Sequence, residues 1–155
     1  MKNSRGFTGK GLLVIVVVLI IIVGFLFIYF YNQRKRNFIT MAKDYITEVR
    51  VLATSDRIIL PATTDDEVLI TISQIEPTEK LRKSPFHEKW NLDKSYVVIR
   101  NIGTEYSPRY IYLIALEDKG GHCVSLTEEV ELHRNKVSTQ CSIEEHDETA
   151  AIYLD

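Results

Sequence analysis

Residues Gly11–Tyr31 read GLLVIVVVLIIIVGFLFIYFY, twenty-one positions without a single charge. At ~1.5 Å rise per residue, a helix of this length crosses the ~30 Å hydrocarbon core of a bilayer. Lys10 borders the stretch on one side and Arg34-Lys35-Arg36 on the other. Burying such a run inside a soluble core would take far more chain than the remainder supplies, so it reads as a membrane helix.

The same stretch does not read as a cleaved secretory signal. Signal peptides carry an apolar region of roughly 7–15 residues followed by a small-x-small cleavage site. Here the run is longer, and bulky, polar and basic residues follow it: Tyr29, Phe30, Tyr31, Asn32, Gln33 and Arg34. With no cysteine near the N-terminus, a lipoprotein is excluded as well, and a retained anchor is expected.

Orientation rests on two clues. Lys2, Arg5 and Lys10 lie before the helix and Arg34, Lys35 and Arg36 after it, so the positive-inside rule nearly cancels. The second clue is Cys123 and Cys141, the only two cysteines, which enclose a short polar segment. An even pair at this spacing suits a disulfide in an oxidising compartment, and closing such a loop contributes about 3 kcal/mol in the chain-entropy model. The alternative is two thiols in a reducing compartment. The disulfide reading places the domain outside.

All 21 acidic residues fall after residue 43, and from Asn32 onward they outnumber 16 basic ones for a net charge of −5. A mildly acidic domain without clustered Lys and Arg is a poor partner for nucleic acid phosphates. The Arg34–Arg36 cluster is explained by anchoring at lipid headgroups.

Beyond the membrane the helix continues. Phe38, Ala42, Tyr45, Val49 and Leu52 recur at spacings of four and three, one apolar stripe, while Lys43, Asp44, Thr47, Glu48 and Arg50 fill the opposite side. No Pro or Gly intervenes between Gly24 and Ser55, so a continuous helix from Gly11 to Thr54 is expected, roughly 65 Å long. The organisation is then a basic leader (1–10), a transmembrane helix (11–31), an amphipathic continuation (32–54) and a β-rich head (55–155).

Within the head, Arg57–Leu60 forms a short apolar run stopped by Pro61, and Val68, Ile70 and Ile72 alternate with Leu69, Thr71 and Ser73 as in a half-buried strand. Tyr96–Arg100 and Arg109–Leu116 read as strands linked through Asn101-Ile102-Gly103, the second apolar on both faces and therefore central. Lys119-Gly120-Gly121 turns the chain into His122–Leu126. Glu129–His133, Val137–Cys141 and a last edge strand Ala150–Leu154 are weaker candidates. The expected fold class is α+β: a long N-terminal helix whose outer half packs its stripe on one antiparallel sheet of four or five strands, because neither layer can bury itself alone.

Gly6-Phe7-Thr8 stands directly before the apolar helix, after a short leader containing Lys2 and Arg5. With that architecture behind it, the chain resembles the type IV pilin and pseudopilin family. Arg34–Leu52 is similar to the family's basic-then-amphipathic outer helix, and Tyr110–Glu117 to its tyrosine-rich sheet strand. Cys123 and Cys141 match the C-terminal disulfide loop that many pilins carry. The resemblance implies cleavage after Gly6 by a prepilin peptidase and methylation of the new terminal Phe7. It also implies a single-pass protein of the bacterial inner membrane with an extracytoplasmic head, partnered by the lipid bilayer, other pilin-like subunits and assembly-platform proteins.

One departure has physical weight. The family motif continues with two apolar residues and then a glutamate that pairs with the amine of a neighbouring subunit, whereas here the positions are Gly9, Lys10 and Gly11. Removing one partner of a buried ion pair costs about 3–5 kcal/mol, and Lys10 adds a cation where an anion is expected. A repeating major subunit would not tolerate this; a minor or tip subunit has no neighbour above it to match, and the tip pseudopilin of type II secretion lacks this acid. The competing expectation is an uncleaved single-pass binding or accessory protein with an extracytoplasmic β domain. In it, Lys10 simply snorkels to the interface.

Other motifs are weak. Leu60-Pro61-Ala62-Thr63-Thr64 reads as a turn rather than a sortase signal, because it lacks the glycine and no hydrophobic tail follows. His87, His122, His133 and His146 lack the spacing of zinc ligands. The acidic run Glu144, Glu145, Asp147, Glu148 lacks the pattern of a calcium loop. Trp90, beside Pro85 and Phe86, is expected to plug the domain core. No phosphate loop and no nucleophile elbow occurs, so no catalytic residue, metal or cofactor is expected.

Overall fold

A computed structural model of the protein describes residues 9–76 and 80–145. The expected strand at Ala150–Leu154, the processing residues Gly6 and Phe7, and His146, Asp147 and Glu148 lie outside them. The chain divides into two units between Gln33 and Arg34.

Helix α1 runs from Gly9 to Thr54 without interruption. In the first unit its large apolar side chains, Leu12 through Phe30, are all exposed. This part of the helix is long and apolar enough to cross a membrane.

In the second unit the outer part of α1 packs on a four-stranded antiparallel sheet, giving an α+β arrangement. Phe38, Ala42, Tyr45 and Val49 are fully buried, as the stripe predicts, and Ile39, Ile46 and Ala53 join them. Leu52 is only half-buried. At about 100° per residue, Ile39 and Ile46 rotate the buried arc so that Ala53 sits near its centre and Leu52 at its margin. Asp56 then ends the helix in the left-handed conformation, φ 57°, without a glycine. Arg57 N–H donates back to the Leu52 carbonyl at 3.1 Å.

The sheet comprises β1 (Glu67–Thr71), β2 (Tyr96–Asn101), β3 (Tyr110–Glu117) and β4 (Cys123–Glu128), neighbours in space as in sequence. Register sets Ile70 opposite Val97 and Val97 opposite Ile114, so these three share one face. Tyr112, an even-numbered residue of β3 like Ile114, carries the Arg50 guanidinium 4.9 Å above its ring, which marks this as the face under α1. The opposite face holds Tyr96, Val98, Leu113 and Ala115, all buried, with Leu69, Ile111 and Ile143 packed against them. Burial on both faces is why β3 reads apolar throughout. Between β3 and β4 the register slips: Ile114 faces Thr127 and Leu116 faces Val124, which leaves one extra residue in β4.

Three expected strands are not strands, and a fourth, Val68–Ser73, forms β1 but ends early. Arg57–Leu60 contributes only a single bridge residue, Ile58, between the helix-ending Asp56 and Pro61. The alternation at Val68–Ser73 breaks after Thr71, where Ile72–Ile75 forms one helical turn, α2. Its cause is a Thr-x-x-Gln signature: the Gln74 side-chain oxygen accepts from Thr71 N–H at 2.8 Å. Glu129–Glu131 and Arg134–Lys136 are 3-10 turns. Of Val137–Cys141, only Ser138 bridges the sheet, through Cys123.

Two turns follow their glycines. In the β2–β3 link, a side chain at Gly103 would place its Cβ 2.3 Å from the Ser107 carbonyl oxygen. After β3, Gly121 takes φ 86°, a conformation open to glycine at little cost.

Candidate functional site

The helix stripe, read from sequence as a packing surface, meets a layer of aromatic rings. Phe38 and Tyr45 both approach Trp90 edge-on, with centroids at 5.2 Å and 6.2 Å. Phe86 lies 6.1 Å from Phe38 and stacks on the His122 imidazole at 3.6 Å. Trp90 is buried, as expected of a core plug. Among the described residues its indole N–H finds no acceptor.

The segment carrying Trp90 is sutured to the end of β3. Trp90 and Asp118 form a bridge pair, Asn91 N–H donates to the Glu117 carbonyl at 2.8 Å, and Lys119 N–H donates to the Lys89 carbonyl at 2.8 Å. The buried Ser95 hydroxyl donates to the Glu117 carbonyl and accepts from its N–H, both at 3.1 Å.

Among the described residues Asp118 is the most buried carboxylate, and it is the centre of a knot that sequence reasoning passed over. Its Oδ2 accepts from the Ser84 hydroxyl at 2.6 Å, and its Oδ1 accepts from Gly120 N–H at 3.0 Å and His122 N–H at 2.9 Å. The His122 Nδ1 lies 3.3 Å from the same oxygen. Serine, histidine and aspartate are thus adjacent, but the carboxylate stands between the other two. A buried hydroxyl that donates to the carboxylate rather than to the imidazole lacks the order of a nucleophilic triad. The cluster closes the β3–β4 turn.

A second missed group clamps α1 from the outside. Arg82 reaches three carboxylates: Glu76, by an ion pair; Glu48, at 2.9 Å; and Asp44, at 3.9 Å. Its guanidinium also lies 5.1 Å over the Tyr45 ring. The Tyr45 hydroxyl donates to Glu76 at 3.4 Å. Burial, reinforced by the Glu76 carboxylate, pushes the Tyr45 phenol far above the ordinary tyrosine range. At the other end of the stripe, Arg50 pairs with Glu129 and covers Tyr112, whose phenol burial raises against the opposing pull of Arg50.

Asn101 performs a third unforeseen role. It is fully buried, donates to the carbonyls of Pro61 (3.3 Å) and Ala62 (3.2 Å), and accepts from the N–H groups of Gly103 (2.9 Å) and Arg109 (3.2 Å). The Leu60–Thr64 turn and the β2–β3 hairpin are therefore joined through one carboxamide. No spacing signal marks such a residue; only the Asn-x-Gly turn hinted at it.

Cys123 and Cys141 form a disulfide with Cα atoms 6.1 Å apart. Of the histidines, His122 has the structural role above, His133 Nδ1 lies 2.6 Å from the Glu131 carbonyl, and His87 is exposed. Among the described residues no three His, Cys, Asp or Glu side chains converge to hold a metal ion. Compared with protein-family models, curated proteins and solved structures, the chain matches none.

Proposed function

We propose that this chain is a pilin-like structural subunit, anchored in the bacterial inner membrane by Gly11–Tyr31 with its β-sheet head on the extracytoplasmic side. What carries this reading is a single helix, Gly9–Thr54, supplying both a charge-free apolar segment and the residues that cover the head's sheet. A protein built this way can pass between bilayer and assembly without refolding its head, because the sheet's cover belongs to the anchor helix itself. Its work is mechanical: apolar helices pack side by side while the heads face outward. No catalytic step is assigned to it.

Within the family, the chain suits a minor or tip position. Gly9, Lys10 and Gly11 put no carboxylate at the helix start, so a neighbour's amine would stay uncompensated in a repeating filament. Partners on this reading are the bilayer, other pilin-like subunits, assembly-platform proteins and the prepilin peptidase. Intact-mass measurement of the membrane-extracted protein tests it: a mature chain beginning at Phe7, with or without a methyl group, is the expected result. A chain still carrying Lys2 overturns it.

Lys10 favours a second reading, an uncleaved single-pass protein whose head recruits a partner at the membrane. It requires the leader to be retained and predicts no co-purification with pilin-like subunits.

A further inference from the structure

We propose that the Cys123–Cys141 disulfide is a redox latch holding the strap 141–145 across the outer face of the sheet, and that its reduction by a dithiol frees the strap while the helix-covered core stays folded. The strap departs from the sheet after Ser138, whose N–H and carbonyl each pair with Cys123 at 2.8 Å. Beyond that bridge, three attachments of 141–145 stand out among the described residues. One is the disulfide, and the second is Ile143, partly buried against Tyr96, Val98, Leu113 and Ala115. The third is an ion pair from Glu145 to Lys94 at 3.5 Å, its carboxylate largely exposed and therefore weak.

Beside the Ile143 contact the strap borders a gap. Ser142, Ile143 and Glu144 line a cleft of about 300 Å³ together with Glu67, Leu69, Tyr96, Val98 and Leu126. A segment that borders a cleft touches the layer beneath at few points, so one covalent tether dominates its placement. The opposite face has no such dependence. Phe38 and Tyr45 of α1 and Ile70, Val97, Ile99 and Ile114 of the sheet are fully buried, on the face opposite the one that Ile143 packs against. Latch and core are separable on this geometry.

Cys123 is buried whereas Cys141 is half-buried, which directs attack to the Cys141 sulfur. A thiolate of the dithiol forms a mixed disulfide with Cys141 and expels Cys123 as a thiolate, which takes up a proton. The second thiol of the reagent then displaces Cys141, leaving two protein thiols and an oxidised cyclic disulfide. Two electrons and two protons pass to the protein.

The test uses the full chain in detergent micelles, labelled with ¹³C at the isoleucine δ1 methyls, before and after dithiothreitol. The Ile143 methyl is expected to move to its unstructured-chain position while those of Ile70, Ile99 and Ile114 stay in place. The Cys141→Ser variant should give the same spectrum without reductant. An unmoved Ile143 overturns the proposal, since packing alone would then hold the strap. Loss of the Ile70, Ile99 and Ile114 positions overturns it equally, because the disulfide would then staple the whole head. Neither outcome depends on whether the chain assembles with other subunits.

Discussion

Asn101 shows how much of the head hangs on one side chain. Replacing it by alanine strands two N–H groups and removes the donors to Pro61 and Ala62. Each buried group left unpaired costs roughly 1–3 kcal/mol. Asn101→Ala should therefore lower head stability by several kcal/mol, about 2–4 kcal/mol after relaxation, read as a drop in the denaturant midpoint. The buried tyrosines make a prediction about pH. Burial raises the phenols of Tyr45, Tyr96 and Tyr112 above the ordinary value. Above about pH 10 the unfolded chain ionises its tyrosines while these three stay protonated in the folded head. Unfolding then releases protons, so stability is complete below pH ~10 and falls as pH rises beyond it. Tyr45→Phe keeps the ring against Trp90 and should flatten that fall; denaturant midpoints measured at about pH 9 and about pH 11 give the comparison. An unchanged slope would place the alkaline sensitivity elsewhere. Of this, the burial of Tyr45 was legible in the helix stripe. Asn101, Asp118 and Arg82 were not, because each also binds a partner more than thirty residues away, and sequence spacing carries no record of such contacts.

At the scale of elements, the apolar period did most of the work. A 3.6-residue repeat over Phe38–Val49 specified which side of α1 the sheet would cover, because every large side chain on it agreed. It misjudged the end. Leu52 looked the stronger candidate, yet Ala53 is buried, since alanine is too small to announce a face by its hydropathy. Strands β2, β3 and β4 were readable from their β-branched and aromatic runs. The elements that failed, Ile72–Ile75 and Glu129–Glu131, are short enough that alternation and a single turn look alike. Phe38→Ala tests the helix–sheet layer: truncating a fully buried ring beside Phe86 and Trp90 should cost about 3–5 kcal/mol. Val51→Ala, on the exposed side of the same helix, should change stability by less than about 0.5 kcal/mol. Equal losses from the two would mean that α1 does not cover the sheet in solution. Gly103→Ala should be costly too, since its methyl group meets backbone atoms of Ser107 and Arg109, which cannot swing aside as a side chain would.

For the molecule as a whole, the membrane-length apolar stretch and the sheet's cover are consecutive stretches of one helix, and this was the most readable property of the chain. An uncharged twenty-one-residue run needs no tertiary context to be recognised. The disulfide was half-readable: two cysteines around a polar segment suggested it, and 6.1 Å between their Cα atoms realises it. Cys141→Ser should lower the stability of the head by about 2–4 kcal/mol, read from the denaturant midpoint, and the difference should vanish when wild type is measured under reducing conditions. A variant as stable as the oxidised wild type would show that the crosslink contributes nothing.

The chain has a single tryptophan, and it sits where Phe38 and Tyr45 of the helix press on the head. Its emission is thus a native gauge of whether those two surfaces are still together. On the proposed pilin-like reading, a blue, unshifted signal while the chain is drawn from a bilayer would mean that the head travels as cargo with its lid shut. A transient red excursion would instead mean that the pulling force is felt in the protein's interior.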